Sequence, residues 1–331
     1  MNINNTYIMD RNAYLDDVLF SYNMKHIEKR TTAYKAVAME LRDAIEAHYG
    51  DKMYSTFYSG SIAKHTAVNT NFDIDFVAPF KRDSFGTLEE MYRNVHDFLV
   101  DYVNNTPKYT GRVHLRKQTV SIGFEYTVTI DETQEMMSID IVPGRELAQG
   151  DFPQTKDLNL YFYDRNWGFG SEDSSYQKTN IHAQFEGLCQ KTVERQIIRL
   201  LKIWKKSNQI DIKSFVLELF TLKAMEGYEP HDLWTTLMYV LEYISKHAED
   251  TSCHLLDPGN SNNDVLAKMD EYKRRNIADN VNSLLRGLEV YGDSRIKTAF
   301  PENYRYKRNP AGYEMRPGTQ VPLPPSGKLF G

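Results

Sequence analysis

The chain has 331 residues, with 45 acidic and 40 basic side chains and a formal net charge of −5. This length is enough for two domains, and the acidic balance argues against a dedicated duplex-DNA-binding protein, which needs excess positive charge against phosphates. Two cysteines allow one disulfide bond at most, the N-terminus has no apolar signal core, and no apolar run approaches the roughly 20 residues that cross a bilayer. We therefore expect a cytoplasmic protein with no membrane association.

The first half of the chain has the patterns of a sheet braced by helices. Apolar side chains recur every three or four residues from Tyr34 to Ile45 and stop near Gly50, which predicts a long amphipathic helix; residues 88–103 predict another. Strands are predicted where aromatic and β-branched residues alternate with other side chains, at 53–58, 72–77, 119–130 and 137–142, with a polar turn at 131–134. The sequence therefore predicts an α+β fold whose sheet is mainly antiparallel.

The second half is predicted to be helical. One helix is marked by an apolar stripe of Val193, Ile197, Leu200, Leu201 and Trp204. Residues 214–225, 233–247 and about 264–291 predict three more helices, the last entered through a turn-rich loop at 255–263. Half of the prolines fall in residues 301–331, where we expect a flexible tail. The predicted domains are a core with an N-terminal bracing helix at 1–150, a helical lobe at 151–300 and this tail.

Three carboxylates form the strongest candidate site. Asp73 and Asp75 are two residues apart, so both point to one face of an extended strand, and Asp140 joins them if its own apolar strand is a neighbour. Crowded acidic groups repel one another unless a cation neutralises them, and hard oxygen ligands suit Mg²⁺ or Mn²⁺. Two such ions can hold the attacking and leaving oxygens in phosphoryl transfer.

A glycine and a serine ahead of these acids predict a phosphate site. Gly60 and Ser61 follow a predicted strand and enter a short helical turn over residues 62–66. Glycine allows close approach of the backbone to a ligand, and the first N–H groups of a helix are available to a triphosphate. A glycine-serine pair alone is usually only a turn, so the prediction depends on the order and spacing of these residues and the acids.

In this order, the motifs resemble nucleotidyltransferases of the DNA polymerase β type, and more closely the bacterial cGAS/DncV-like nucleotidyltransferases (CD-NTases). The blocks that carry the resemblance are GSIAKHT at 60–66, DID at 73–75, IDIVP at 139–143, RLLKIWK at 199–205, SFVLE at 214–218 and LDPGNSNN at 256–263. His65 departs from the pattern, because many relatives have glycine at that position.

The resemblance implies a polymerase-β-like sheet core and a helical second lobe that enclose a central cleft. It also implies two Mg²⁺ (or Mn²⁺) ions and a donor nucleotide, with ATP or GTP as the expected substrates. The implied residues are Asp73, Asp75 and Asp140 for the metal ions and catalysis, and Gly60, Ser61, Lys202, Ser214 and Phe215 for the nucleotide, the last as a base-stacking aromatic.

The activity implied by the resemblance is synthesis of a cyclic di- or trinucleotide second messenger, with release of pyrophosphate, in bacterial antiphage (CBASS) signalling. The product would activate a separate effector. The C-terminal Gly331 is similar to the ends of relatives that ubiquitin-transfer-like partners join to targets. Duplex DNA is not expected to be required, because the chain has too few cysteines for the zinc-bearing insertion of DNA-sensing relatives.

Other interpretations stay open at this stage. Lys202 lies off the apolar stripe of its helix and could be a solvated lysine, and Phe215 could be a core residue. A zinc site at His247, Cys253 and His254 lacks a fourth ligand, while the basic clusters at 205–206 and 273–275 could be solvated helix faces or could contact a nucleotide or RNA. The protein could also be a linear oligonucleotide synthase, another nucleotidyltransferase, or a catalytically silent nucleotide- or RNA-binding module.

Overall fold

The computed structural model describes residues 9–70, 72–130, 132–163 and 176–308. The helices are α1 Arg11–Ser21, α2 Glu28–Tyr49, α3 Gly60–Ala63, α4 Leu88–Asn105, α5 Phe152–Thr155, α6 Ile181–Cys189, α7 Thr192–Ser207, α8 Ser214–Ala224, α9 Leu233–His247, α10 Glu271–Tyr291 and α11 Asp293–Ala299, with 3₁₀ turns at Met24–Ile27 and Gly50–Lys52. The strands are β1 Phe57–Ser59, β2 Ile74–Phe80, β3 Val113–Lys117, β4 Ile122–Ile130, β5 Thr133–Glu146, β6 Leu158–Tyr161, β7 Tyr176–Thr179, β8 Leu256–Asp257 and β9 Asn260–Asp264. In the described part of the chain, no helix is long and apolar enough to cross a membrane.

Strands β1 to β7 form one mixed sheet. Its order is β1-β2-β5-β4-β3, and β6 pairs with the end of β5 and with β7. β2 and β5 run parallel, whereas the other neighbouring strands are antiparallel, which confirms a mainly antiparallel sheet. The turn predicted at 131–134 is tighter than expected, because Ile130 already pairs with Thr133 and Glu132 has a left-handed φ of 64°.

One face of this sheet packs against α2 and α4. Ile74 and Ile139 are fully buried there together with Leu41 of α2. Burying a large aliphatic side chain stabilises the folded state by about 1.5–3 kcal/mol. Because side chains alternate along a strand, Asp75 and Asp140 lie on the opposite face, away from this core.

Helix α4 lies where the sequence predicts it, and its start has a local cause. Thr87 precedes the helix, and its hydroxyl oxygen accepts a hydrogen bond from the N–H of Glu90 at 3.0 Å. The Glu90 carboxylate in turn accepts the N–H of Gly86 at 2.9 Å. The first bond satisfies an N–H group that the helix start leaves unpaired, and the second ties the preceding residue to the first turn, so the two bonds fix where α4 begins.

A second core lies among the helices of the other lobe, α7 to α11, and contains the fully buried Trp204. The predicted helices at 193–204, 214–225 and 233–247 are confirmed by α7, α8 and α9. Helix α1, although first in the chain, packs Leu15 and Val18 into this second core. Conversely, β6 and β7 lie after residue 150 but extend the sheet of the first lobe. Each lobe therefore contains a segment from the other side of residue 150. The domain limit at this residue stays a prediction.

Two elements of the helical lobe differ from the prediction. The loop expected at 255–263 is a small hairpin of β8 and β9. The helix expected from about residue 264 begins at Glu271, because the Asp264 carboxylate accepts N–H groups of two following residues and holds them in a turn. Asp270 then caps α10 by accepting the N–H of Lys273 at 2.8 Å.

The expected flexible tail begins inside the packed structure. Asn303 is only 7% exposed; its N–H donates to the Ser21 hydroxyl at 2.9 Å, and its side-chain amide donates to Asn69 at 3.0 Å. A buried amide needs such partners, so Asn303 packs into the fold, and the flexibility expected for residues 301–331 stays a prediction. Residues 309–331, including Gly331, lie outside the described residues.

Candidate active site

One register row crosses the sheet on the face away from α2 and α4. Asp75 of β2 pairs with Asp140 of β5, and the row continues to Ser59 of β1 on one side and to Gly123 of β4 and Arg116 of β3 on the other. Neighbouring strands lie about 4.8 Å apart, and residues in register point to the same face. The expectation that the strands of Asp75 and Asp140 are neighbours is therefore confirmed.

Asp73 lies just before β2 and completes the acidic group. It is exposed, whereas Asp75 and Asp140 are half-buried. Its negative charge is nevertheless among the causes that raise the pKa of each of the other two. The three acids predicted from the sequence thus form one electrostatically coupled group.

Burial and mutual repulsion disfavour the ionised state of these acids. Burial, followed by repulsion from Asp140 and Asp73, raises the pKa of Asp75 to about 7. Burial, followed by repulsion from Asp73, raises the pKa of Asp140 to about 6. Asp73 is exposed as a whole residue, but the protein atoms packed around its carboxylate displace water there and raise its pKa as well. A cation among the three side chains would relieve the repulsion and favour ionisation.

The donor set fits a hard divalent cation. It consists of carboxylate oxygens, which Mg²⁺ and Mn²⁺ prefer, and repulsion between the acids is, after burial, a cause of the raised pKa values of Asp75 and Asp140. In the described ranges, no three His, Cys, Asp or Glu side chains already surround a common metal position. Asp73, Asp75 and Asp140 have the ligand chemistry for such ions, and metal binding by them stays a prediction.

Gly60 brings a short helical turn against these acids. Its φ is 64°, a left-handed value that favours glycine, and a Cβ at this position would lie 2.5 Å from the Asp75 Cγ. Gly60 and Ser61 open α3, whose first N–H groups have no partner within the turn. The predicted glycine-serine turn is thus adjacent to the carboxylates.

His65 adopts the backbone conformation that a glycine would adopt. It follows α3 with a φ of 55°. Histidine is among the non-glycine residues that enter the left-handed region more often than others. This geometry explains why the departure from the family pattern at residue 65 leaves the turn intact.

Two lysines connect the lobes beside the acids. Lys202 of α7 donates to the carbonyl oxygen of Thr66 at 3.1 Å and to its hydroxyl at 3.0 Å. Lys64, at the end of α3, forms an ion pair with Glu218 of α8 at 2.6 Å. Burial lowers the pKa of Lys202 to about 8, although Glu218 and Asp75 oppose this shift. Lys202 therefore faces the sheet lobe and is not a freely solvated lysine.

Comparison with known proteins assigns the fold. No family model matches the sequence, and no curated protein matches it significantly. The structure of E. coli MS115-1 CdnC with ATP aligns at a TM-score of 0.65 and 17% identity, covering 90% of this chain and 99% of that one. The Elizabethkingia meningoseptica CdnE cyclic dinucleotide synthase with GTP and Apcpp aligns at 0.54 and 14% identity, covering 77% and 91%. The Rhodothermus marinus CdnE c-UMP-AMP synthase with Apcpp and Upnpp aligns at 0.53 and 13% identity, covering 84% and 97%.

The chain has the CD-NTase fold. The predicted α+β class, with a nucleotidyltransferase sheet core and a helical second lobe, is confirmed. At these identities the likeness establishes the fold, and it leaves the activity of this chain to be inferred from its own residues.

The remaining predicted nucleotide-binding residues, Ser214 and Phe215, lie at the start of α8. Phe215 is half-buried; it packs against the helical core, and its ring centre lies 5.4 Å from the ammonium of Lys64, whose charge acts on Asp75. It therefore contacts the core and borders the site at once. The Ser214 hydroxyl lies 3.5 Å from the Lys205 ammonium, so its role in phosphate binding stays a prediction.

Side chains of the candidate zinc site at 247–254 and of the basic cluster at 273–275 are hydrogen-bonded or ion-paired to neighbouring protein groups. His254 pairs with Asp264, and His247 bonds to the carbonyl oxygen of Tyr243. The cluster at 273–275 bonds to local carboxylates and carbonyl groups. Neither arrangement supports the zinc site or an RNA contact.

Several residues around the acids were missed at the sequence level. Gln118 donates to the Asp140 carboxylate at 3.1 Å, and the Ser121 hydroxyl donates to Gln118 at 2.6 Å. No local pattern marks either residue. Lys64 lies in the block at 60–66 and Glu218 in the block at 214–218. Their opposite charges were the one sequence signal from which this contact between the two blocks could have been predicted.

Proposed function

We propose that this protein is a nucleotidyltransferase that makes a cyclic di- or trinucleotide from nucleoside triphosphates. One observation carries the proposal: in a fold shared with CdnC and CdnE, Asp75 and Asp140 lie in register, with the Gly60 turn against them. The compared CdnC structure contains ATP and one CdnE structure contains GTP. ATP and GTP are therefore the first substrates to test.

The acidic group would hold two Mg²⁺ (or Mn²⁺) ions through Asp73, Asp75 and Asp140. When bound, such ions supply positive charge at the transferring phosphate and lower the pKa of the attacking hydroxyl. Gly60 and Ser61 would position the triphosphate through the first N–H groups of α3. Charge complementarity supports this arrangement, because without cations burial and mutual repulsion raise the pKa values of the half-buried Asp75 and Asp140.

The helical lobe would complete the nucleotide site. Lys202 already reaches the sheet lobe, where a triphosphate could replace its contacts with Thr66. Ser214 would contact the phosphates, and Phe215, at the border of the core, would stack on the base. These residues would orient the donor against the acids, so that the reacting atoms are held in line.

The proposed reaction joins two nucleotides and then closes a ring. A ribose hydroxyl attacks the α-phosphate of the donor; a new P–O bond forms as the bond to pyrophosphate breaks, and the hydroxyl proton is lost. A second transfer within the linear product would yield the cyclic product. The protein contributes position and electrostatic stabilisation, which dominate catalysis of phosphoryl transfer.

Loss of two acids is the direct test of this proposal. We expect the double variant Asp73→Ala/Asp75→Ala to fold and to show no Mg²⁺-dependent pyrophosphate release above background. Asp43→Ala, at an exposed position of α2, is the matched control and is expected to keep full activity. Wild-type turnover by the double variant would contradict the mechanism.

Product analysis decides among the open alternatives. The protein is incubated with all four ribonucleoside triphosphates and Mg²⁺ or Mn²⁺, and products are identified by nuclease digestion and mass spectrometry. A nuclease-resistant ring supports the proposal. A linear oligomer would assign a linear synthase, transfer to another molecule a different nucleotidyltransferase, and binding without turnover a silent module.

We further propose a role in antiphage (CBASS) signalling, in which the product activates a separate effector. Gly331 would be joined to targets by a ubiquitin-transfer-like partner; it lies outside the described residues. Extending the chain past Gly331 should block conjugation in a reconstituted system, and unchanged conjugate formation would refute this part of the proposal.

A further inference from the structure

We infer that Gln118 is a positioning residue that holds the Asp140 carboxylate in the orientation needed for cation binding; this inference rests on the proposed function. Gln118 follows β3, and its side-chain Nε2 donates to Oδ1 of Asp140 at 3.1 Å. An uncharged donor can hold one carboxylate oxygen and leave the second available to a cation. A lysine or arginine in its place would compete with that cation by charge.

The orientation of the Gln118 amide is determined by Asp140, and both ends of the amide are hydrogen-bonded. Its Oε1 accepts the Ser121 hydroxyl at 2.6 Å, while its Nε2 faces Asp140. Because an ionised carboxylate only accepts hydrogen bonds, the amide nitrogen must face Asp140. The Ser121 hydroxyl, which is only 7% exposed, then donates to the amide oxygen, so both ends of the amide have a partner.

The turn that carries Gln118 is attached to helix α4. The Gln118 N–H donates to the carbonyl oxygen of Ser121 at 2.9 Å, which closes the turn. The hydroxyl of the fully buried Tyr92 lies 2.8 Å from that same carbonyl oxygen and 3.1 Å from the Gln118 N–H. The amide thus extends from a turn that is anchored to the packed core.

A glycine provides the space that the amide occupies. Gly123 lies opposite Asp140 in the register of β4 and β5, and a Cβ there would lie 2.7 Å from the Gln118 Nε2. The same Cβ would lie 3.5 Å from the Asp140 Oδ1, an ordinary contact distance. An alanine at residue 123 would therefore displace the flexible end of Gln118 while leaving Asp140 in place.

These contacts define two independent ways to remove one hydrogen bond. Gln118→Met keeps the length of the side chain and removes the amide, whereas Gly123→Ala keeps the amide and displaces it. Partners that orient a metal ligand typically change metal affinity or activity 10- to 100-fold. We expect each variant to weaken Mn²⁺ binding and to lower kcat by about 10- to 100-fold, with little change in KM for the triphosphate.

The experiment measures Mn²⁺ binding by electron paramagnetic resonance and turnover by pyrophosphate release, after thermal unfolding has verified that each variant is folded. Gly187→Ala is the matched glycine control, because a Cβ there meets no atom within 4 Å, and it should behave as wild type. The double variant Gln118→Met/Gly123→Ala should resemble either single variant, since both changes remove the same bond.

Wild-type Mn²⁺ affinity in either folded variant, or losses that add in the double variant, would overturn the inference. Failure of the proposed function is a separate outcome. If the wild type binds Mn²⁺ but forms no oligonucleotide, the proposed activity is wrong, and the Mn²⁺ affinities of the variants still decide the role of Gln118. If the wild type binds no Mn²⁺, both are wrong.

Discussion

Gly60 is the residue at which backbone conformation and the acidic site meet. Its left-handed φ alone makes alanine unfavourable, and the Asp75 carboxylate occupies the space of a Cβ. We predict that Gly60→Ala costs about 1–2 kcal/mol of stability from the backbone and abolishes nucleotide turnover because Asp75 is displaced. Urea unfolding and pyrophosphate release measure the two effects separately.

Gly111 provides the control for Gly60. It has a similar φ of 71°, but a Cβ there would meet no atom within 4 Å. Gly111→Ala should therefore lose comparable stability and keep its activity. Full activity of Gly60→Ala would show that the contact between this turn and Asp75 is unimportant.

The raised pKa values of the acids predict how stability depends on pH. A carboxyl group whose pKa is raised on folding binds its proton more tightly in the folded state, so it favours folding at low pH and this contribution is lost as pH rises. For Asp75, with a pKa of about 7 against an ordinary 3.8, the loss falls between about pH 4 and pH 7. Without metal, Asp75→Asn should therefore be more stable than wild type at pH 8 by at least about 1.4 kcal/mol, the free energy of one pKa unit.

Urea unfolding in the presence of a chelator, at pH 4 and pH 8, measures this difference. The gain should be small at pH 4, where the wild-type carboxyl is largely protonated, and Mg²⁺ at pH 8 should stabilise the wild type more than the variant. Asp43→Asn, exposed on α2, should show neither effect. An Asp75→Asn protein that is less stable than wild type at pH 8 would contradict the prediction.

At the scale of elements, the alternation Ile74-Asp75-Phe76 in β2 and Ile139-Asp140-Ile141 in β5 joins core and site. The isoleucines are buried against α2 and α4, and the strand period of two then directs the aspartates to the other face. A shift of one residue in the pairing of these strands would bury charge and expose the core. The packing that stabilises the sheet thus also determines the position of the acids.

A buried ion pair between Lys64, at the end of α3, and Glu218 of α8 joins the lobes near the site. The side chains of Lys64 and Glu218 are 10% and 5% exposed. Removing one partner of a buried pair leaves an uncompensated charge and typically costs about 3–5 kcal/mol. We predict such a loss for Glu218→Ala, and a smaller loss for the double variant Lys64→Met/Glu218→Met, measured by urea unfolding.

The exposed pair Lys223 and Glu226 serves as the comparison. These side chains are 42% and 63% exposed, and exposed pairs contribute about 0–1 kcal/mol. Glu226→Ala should therefore have little effect. If Glu218→Ala lowers the free energy of unfolding as little as Glu226→Ala does, then water reaches the Lys64–Glu218 pair and the pair does not stabilise the contact between the lobes.

At the scale of the whole molecule, three distant parts of the chain meet in one buried group. The Asn69 amide donates to the carbonyl oxygens of Ser21 and Asn23, while Asn303 donates to Asn69 and to the Ser21 hydroxyl. This group joins α1, the segment between α3 and β2, and the residues after α11. It ties the segment that leads to Asp73 to both ends of the described chain.

Asn303→Ala tests this connection. The change leaves the side-chain Oδ1 of the buried Asn69 without its donor, so we predict that the free energy of unfolding falls by about 1–3 kcal/mol. Faster hydrogen exchange is also expected in residues 66–70. Asn104→Ala, at an exposed position of α4, is the control. Unchanged stability of Asn303→Ala would mean that water replaces the lost bond.

Strong local patterns were predictable, and short or cooperative features were not. Helices α2, α4, α7 and α9 have amphipathic stripes and α8 is a mostly buried apolar run, whereas β6 and β7 have four residues each, too few for a distinct period. The β8–β9 hairpin was expected as a loop because its sequence is rich in turn-forming residues. Gln118 was not predicted, since its role depends on the space at Gly123 and on its contact with Asp140, which no spacing along the chain reveals.

Sequence alone was sufficient for the α+β class, the alternation that directs each aspartate away from the core, and the glycine-serine turn ahead of the acids, because these depend on local periodicity and on residue chemistry. The tertiary structure was needed to establish that Asp75 and Asp140 are in register, that Lys202 and Lys64 face the sheet lobe, and that Asn303 packs against α1. Each of these depends on contacts between distant segments, and such pairings are selected by burial and hydrogen bonding across the whole fold rather than by local preference.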